Sequence, residues 1–180
     1  MLIDAPRSVL LVIDMQEKIM PAIADHERLI AGVVWLTRAA QRLGVPVAVT
    51  ELYAKSLGPT VADLRSLLPA DAVGAKSHFS AVAAKCLSAL PGADRAQVVV
   101  AGVEAHVSLL QTALELMEDG KEVYVVADCV GSRRDADRDL ALARVRQEGV
   151  RIVSREMVVC EWLGEAGTPL WKEISRDFLR

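Results

Sequence analysis

A short strand that passes almost directly into a helix constrains this chain most. Residues 98–101 are an apolar run that ends at Gly102, and the apolar positions after it recur at helical spacing up to Gly120. Such a junction directs backbone N–H groups and the positive end of the helix dipole toward the carboxyl edge of a sheet. Ser108 lies near the first helical turn. It is therefore either a nucleophile beside an oxyanion site or an ordinary small polar residue at a helix start.

Strands alternate with helices along the rest of the sequence. The apolar patterns predict five further strands, over residues 9–14, 47–50, 72–76, 123–127 and 150–153. Asp128 is predicted to end the strand of residues 123–127. They predict helices over residues 25–43, 61–68, 80–90 and 135–148, and a helical tail with Trp162 and Trp171. Right-handed crossovers would then build an α/β fold, a mostly parallel sheet with helices on both faces.

Three of the predicted strand ends carry residues suited to chemistry. Asp14 ends the first strand, Lys76 ends the third, and Ser108 follows the fourth. Ligands of parallel α/β sheets bind outside the carboxyl ends of the strands, near the point where strand order reverses. Taken singly, the aspartate suits a turn, the lysine a solvated surface and the serine a helix start.

Composition indicates a small cytoplasmic domain. The 180 residues, 52% of them hydrophobic, suit a single domain over residues 1–180 with one core. A net charge of −3 with scattered lysines and arginines disfavours nucleic acid, and the apolar runs are too short to span a membrane. The N-terminus lacks a signal-peptide pattern. Three widely spaced cysteines, Cys86, Cys129 and Cys160, argue against a disulfide framework and favour a reducing compartment.

Seven short motifs follow one another along the chain: Val12-Ile13-Asp14-Met15-Gln16, Thr50-Glu51, Leu57-Gly58-Pro59-Thr60, Lys76-Ser77-His78-Phe79-Ser80, Gly102-Val103-Glu104-Ala105-His106-Val107-Ser108, Val126-Ala127-Asp128 and Ser132-Arg133. Together and in this order, they resemble the motifs of the isochorismatase-like hydrolase superfamily, which includes nicotinamidase-type and other cysteine hydrolases. Within the superfamily, the chain is most similar to small isochorismatase-domain proteins. The resemblance implies a Rossmann-like three-layer α/β/α sandwich, a small-molecule substrate, no cofactor and a homo-oligomer.

The same resemblance assigns catalytic roles by position. Asp14 corresponds to the general acid/base, and Lys76 to the cation that holds it and the developing charge. Glu104 would follow a cis peptide bond after Val103. The backbone N–H groups of Glu104 and Ser108 would then form an oxyanion hole.

Four residues near these strand ends are expected to line the substrate pocket: Gln16, Tyr53, His78 and Phe79. A structural histidine remains an alternative for His78. The metal-dependent branch of the superfamily has an Asp-x-His after the second strand, where this chain reads Glu51-Leu52-Tyr53. We therefore expect no metal.

Ser108 departs from the resembled pattern, because cysteine hydrolases carry their nucleophile at that position. A serine hydroxyl needs a strong base during attack, and Asp14 is a weak base unless burial raises its pKa. His106 is two residues away and points off the helical face of Ser108. Cys129 is either a thiol within reach of the pocket or, as we favour, a packed core residue.

Two functions follow. The first is hydrolysis of a small amide, ester or vinyl ether, with Ser108 as a nucleophile or with Asp14 acting as an acid without a covalent intermediate. The second is a catalytically lapsed relative that binds a small molecule or supports an assembly, in which Ser108 only fills the space of a thiol.

Overall fold

Six parallel strands form the centre of the fold in a computed structural model that describes residues 1–179. They are β1 (Ser8–Ile13), β2 (Val47–Leu52), β3 (Val73–Lys76), β4 (Gln97–Gly102), β5 (Glu122–Val130) and β6 (Arg151–Val153). The sheet order is β3-β2-β1-β4-β5-β6, and every neighbouring pair is parallel. The predicted parallel sheet is confirmed.

Helices cover both faces of this sheet. They are α1 (His26–Arg42), α2 (Ala54–Leu57), α3 (Ala62–Arg65), α4 (Leu110–Glu118), α5 (Asp135–Gln147), α6 (Arg155–Leu163) and α7 (Pro169–Phe178). Short 3-10 turns span Ala5–Arg7, Met20–Ala22 and Ala70–Ala72, and a π-helical turn spans Ala105–Leu109. No helix within residues 1–179 is long and apolar enough to cross a membrane.

The core consists of two layers because strand side chains alternate between the faces of the sheet. Leu10 and Val12 of β1 pack into the layer with α1, α6 and α7, whereas Leu11 and Ile13 pack into the layer with α4 and α5. All six residues of β1 are buried, as expected for a central parallel strand.

The order of the strands reverses between the two central strands, β1 and β4. The chain adds β2 and β3 on one side of this pair, and β5 and β6 on the other. Ile13 and Gly102 are register partners where the two strands end. Gly102 has a φ of 111°, and a Cβ there would lie 2.6 Å from Ile13 N and closer still to the Ile13 carbonyl oxygen. Only glycine therefore fits at this crevice.

The helix predicted over residues 80–90 is wrong, since this segment forms a series of turns. Ser80 Oγ donates to Glu115 on α4 at 2.6 Å, and the Ala81 N–H donates to Thr112 Oγ1 at 3.0 Å. Lys85 has a left-handed backbone with a φ of 55°. These contacts with α4 and this backbone reversal override the helical pattern of the local sequence.

The predicted end of β5 at Asp128 is also wrong. The strand continues to Val130, with a shift in its register against β4 between Val100 and Gly102. The Asp128 carboxylate instead accepts the Arg155 N–H at 2.8 Å, at the start of α6. A strand-end carboxylate in this chain can thus serve a neighbouring helix.

Candidate active site

Three side chains from separate strand ends meet at the carboxyl edge of the sheet. Lys76 Nζ lies 2.7 Å from Asp14 Oδ2 and 3.3 Å from Ser108 Oγ. Asp14 follows β1, Lys76 ends β3, and Ser108 follows β4. The structure therefore brings together an acid, an ammonium and a hydroxyl, which we call the trio.

The trio is shielded from water. The side chains of Lys76 and Asp14 are 0% and 1% exposed, and Ser108 is 2% exposed. Removing one partner of such an ion pair leaves an uncompensated buried charge, which costs several kcal/mol. Asp14 and Lys76 are consequently interdependent.

Lys76 is also held by the chain that follows it. Its Nζ donates to the carbonyl oxygens of Phe79 at 2.8 Å and His78 at 3.3 Å. The turn of residues 77–80 thus curls over the ammonium. All donor directions of Lys76 point to the trio or to this turn.

Thr50 holds Asp14 in two ways that sequence reasoning did not assign. Its Oγ1 donates to Asp14 Oδ1 at 2.7 Å, and its carbonyl oxygen accepts the Asp14 N–H at 3.1 Å. Thr50 is fully buried, while Asp14 has a left-handed φ of 50°. The available signal was a hydroxyl residue on β2, which is the register partner of Ile13 at the end of β1.

Burial raises the pKa of Asp14 above its ordinary value. Desolvation disfavours the carboxylate, and the Lys76 charge together with hydrogen bonds from Lys76, Thr50 and Ser108 offsets part of this effect. A carboxyl group with a raised pKa exchanges protons closer to neutral pH. Asp14 is thus equipped to act as an acid or a base.

The backbone before Ser108 has two unusual features. The Val103–Glu104 peptide bond is cis, as the sequence resemblance implies. Ser108 lies within the π-helical turn Ala105–Leu109, a form found often at functional sites. The Ser108 hydroxyl of this turn lies beside Lys76.

The four predicted pocket residues occupy different environments. Tyr53 and Phe79 are 61% and 51% exposed, and His78 is also exposed. Gln16 is fully buried, and its amide bonds the Leu52 N–H and the carbonyl oxygens of Leu52 and Gly58. Gln16 therefore braces the loop after β2, whereas the other three are available to solvent at this edge.

His106 faces away from the trio. Its Nδ1 lies 2.9 Å from Ser132 Oγ, and its Nε2 lies 3.6 Å from Glu104 Oε2. Arg133 Nε donates to the same Glu104 oxygen at 2.9 Å. These side chains form a polar cluster that surrounds Glu104.

Cys129 is a packed core residue. It is fully buried in the layer of α1, near Gly32, and burial raises the pKa of its thiol to about 12. Such a thiol is protonated at neutral pH and is a poor nucleophile. Within residues 1–179, no three His, Cys, Asp or Glu side chains are grouped to hold a metal.

Cavities of about 410, 830 and 490 Å³ lie elsewhere in the part of the chain that the structure describes. None of these three is lined by Asp14, Lys76 or Ser108.

The chain is an α/β protein with a parallel sheet between two helical layers, and its trio lies at the edge where the strand order reverses between β1 and β4. Comparison with known families identifies the family within this class of protein. The chain belongs to the isochorismatase family, because the family model for the isochorismatase domain matches residues 8–157.

Known proteins support this assignment. Isochorismatase domain-containing protein 2 of Danio rerio is 39% identical over 174 residues, covering 94% of this chain and 85% of that protein. The solved structure named MAR1 ribonuclease from Caenorhabditis elegans has a TM-score of 0.88 and 33% identity, covering 100% of this chain and 93% of the other.

A third comparison shows the fold alone. The YcaC gene product of Escherichia coli, described as an octameric hydrolase of unknown specificity, has a TM-score of 0.89 at 22% identity. The alignment covers 99% of this chain and 91% of that chain.

Proposed function

We propose that this protein is a hydrolase of a small metabolite and that Asp14, Lys76 and Ser108 form its active site. The contact of one buried ammonium with both the carboxylate and the hydroxyl carries this proposal. In this arrangement Lys76 stabilises negative charge on either neighbour, and Asp14 exchanges the proton. The chain functions as a single isochorismatase-like domain.

In the first route, Ser108 attacks the carbonyl carbon of an amide or ester. The Ser108 proton passes to Asp14, and Oγ forms a bond with the carbonyl carbon. The backbone N–H groups of Glu104 and Ser108 bind the oxyanion. Asp14 then returns its proton to the leaving amine or alcohol as the acyl bond breaks, and water releases the acid from Ser108.

The raised pKa of Asp14 favours a second route. A protonated Asp14 donates its proton to the carbon–carbon double bond of a vinyl ether, and water adds to the resulting oxocarbenium carbon. The hemiketal formed then breaks down to a carbonyl compound and an alcohol. Ser108 forms no covalent bond in this route.

Access to the trio depends on the turn of residues 77–80. Its His78 and Phe79 are exposed while their carbonyl oxygens hold Lys76. We expect substrate to displace this turn and to contact Phe79 and Tyr53 as it enters.

The test is a substrate screen with matched variants. Small amides, esters and isochorismate are assayed with the wild-type protein, Ser108→Ala, Ser108→Cys and Asp14→Asn. Loss of activity in Ser108→Ala, with an acyl-enzyme mass in the wild type, supports the serine route. Activity retained in Ser108→Ala but lost in Asp14→Asn supports the vinyl-ether route.

Two outcomes would refute the proposed activity. Hydrolysis that appears only in Ser108→Cys would identify a lapsed enzyme and favour a binding role. Cleavage of a single-stranded RNA by the wild type but not by Asp14→Asn would instead assign the trio to nucleic acid, against the net charge of −3.

We also propose that the protein is a cytoplasmic homo-oligomer. The exposed aromatic rings of Tyr53 and Phe79 at the active-site edge support self-association, as does the octamer described for YcaC. Free Cys86, Cys129 and Cys160 suit a reducing compartment. Light scattering after size-exclusion chromatography gives the mass, and a value of 19.4 kDa would contradict association.

A further inference from the structure

A separate apolar cavity lies on the α4 side of the sheet. It has a volume of about 410 Å³, within the range of small-molecule sites. Its apolar lining includes Val9, Leu11, Ala48, Leu90, Val98 and Leu116. All six belong to the core layer shared by α4 and α5.

The segment over this cavity, residues 81–95, is anchored to neighbouring elements. The Ala81 N–H bonds Thr112 on α4, and Lys121 Nζ donates to the carbonyl oxygens of Ala93 and Arg95 at 3.1 and 2.7 Å. Gly92 already touches the sheet, since a Cβ there would lie 2.8 Å from Val9 Cγ2. These contacts fix the path of the segment over the cavity.

An unfilled apolar space lacks dispersion contacts on one side, so an apolar occupant gains both contacts and burial. The rim adds a charge preference. Lys85 and Lys121 line the cavity with Asp119, and Lys85 is exposed. The Lys85 backbone N–H donates to the Val82 carbonyl oxygen, whereas its ammonium makes no hydrogen bond or ion pair within residues 1–179 and is free to meet an anion.

We propose that this cavity binds a small carboxylic acid with a hydrocarbon or aromatic body, whose carboxylate meets Lys85. The body occupies the space between Val9, Leu11 and Leu116. This site does not depend on the proposed catalytic activity.

The cavity is distinct from the trio. Ser108, Thr112 and Leu116 follow one another at four-residue spacing, which spans roughly 12 Å of helix. Thr112 lies between the two ends and accepts the N–H of Ala81, which lines the cavity, whereas Asp14, Lys76 and Ser108 do not line it. A ligand here would touch the Ala81 segment without contacting Asp14 or Lys76.

The test uses octanoate and octanol as probes of the same chain length. Binding is followed by methyl NMR of the full chain labelled at Val and Leu. We expect octanoate to shift the methyl resonances of Val9, Leu11 and Val98, and Ala48→Leu to weaken binding by about tenfold or more by filling the cavity. Val82→Phe fills the same space from the turn segment if Ala48→Leu does not fold.

Charge variants test the carboxylate. Lys85→Gln should weaken octanoate by roughly threefold to fivefold, as expected for an exposed ion pair, and leave octanol unchanged. Lys172→Gln, an exposed lysine on α7, is the matched control and should change neither.

Three results would overturn the proposal. They are methyl shifts confined to residues around Ser108, unchanged octanoate affinity in both cavity-filling variants, and equal loss of octanoate and octanol in Lys85→Gln. The first would place the ligand at the trio and would leave the proposed hydrolase intact.

Discussion

Replacing Thr50 with valine removes a hydrogen bond to Asp14 and leaves the backbone bond between them. Thr50 Oγ1 donates to Asp14 Oδ1 at 2.7 Å in a site closed to water. Valine has a similar shape but cannot donate. The other carboxylate oxygen keeps its contact with Lys76.

The size of the effect follows from the charge of the acceptor. A hydrogen bond to a charged group contributes about 1.5–3 kcal/mol, and each pKa unit corresponds to about 1.36 kcal/mol. This bond stabilises the carboxylate and lowers the Asp14 pKa. Its removal should therefore raise the pKa of Asp14 by about 1–2 units.

The measurement is a titration of the Asp14 side-chain carboxyl carbon by ¹³C NMR, with Asp14→Asn to assign the resonance. Wild type and Thr50→Val are compared, and Thr50→Ser, which restores the hydroxyl, should titrate within about half a unit of wild type. The assay needs no substrate. It therefore reports the role of Thr50 even if the substrate is not among those screened.

The free energy of unfolding should fall as the pKa of Asp14 rises. The folded-state pKa of Asp14 is raised above its unfolded value, so its contribution to stability is fully present below the unfolded pKa and is lost as pH rises through the folded pKa. Thr50→Val extends that loss, so the variant should lose about 1.5–3 kcal/mol of unfolding free energy at pH 8 and less at pH 4. An unchanged or lower Asp14 pKa in Thr50→Val would refute this reasoning.

Three further perturbations test the packing of the site. Lys76→Met should lower the free energy of unfolding, measured by urea unfolding, by about 3–5 kcal/mol at pH 8 and by less at pH 5. Adding Asp14→Asn to this variant should recover most of the loss, and a double variant without that recovery would contradict the interdependence of the two charges. Gly102→Ala should lower the free energy of unfolding by about 3 kcal/mol or more in the same assay, because the new Cβ would meet the neighbouring strand. Gly120→Ala is the control: Gly120 has a φ of 80° and no atom within 4 Å of the new Cβ, so the loss should be only about 1 kcal/mol. Cys129 should resist iodoacetamide at pH 8 until guanidinium unfolds the chain, and rapid labelling of the folded protein, measured by mass spectrometry, would contradict its burial.

The trio could be predicted because the strands are parallel. Asp14, Lys76 and Ser108 each follow or end an apolar run, and parallel strands end at one edge. The role of Thr50 could not be predicted, since it depends on the direction of one hydroxyl and on the pairing of β2 with β1. Periodicity alone does not give strand order.

Tertiary contacts explain the failed helix over residues 80–90. Its alanines suit a helix, but bonds from Ser80 to Glu115 and from Ala81 to Thr112 fix another path. The 410 Å³ cavity below this segment could not be predicted from the sequence either, because a cavity depends on how side chains pack in three dimensions.

Each member of the trio has an anchor outside the trio, in addition to the buried ion pair between Asp14 and Lys76. Asp14 is held by Thr50, Lys76 by the carbonyl oxygens of His78 and Phe79, and Ser108 by its own π-helical turn. A substitution at position 108 therefore leaves the anchors of Asp14 and Lys76 in place, so under the proposed function the reacting atom can change while the buried pair keeps its position. If the proposed function holds, one scaffold can therefore carry different bond-breaking reactions through a change at this single position.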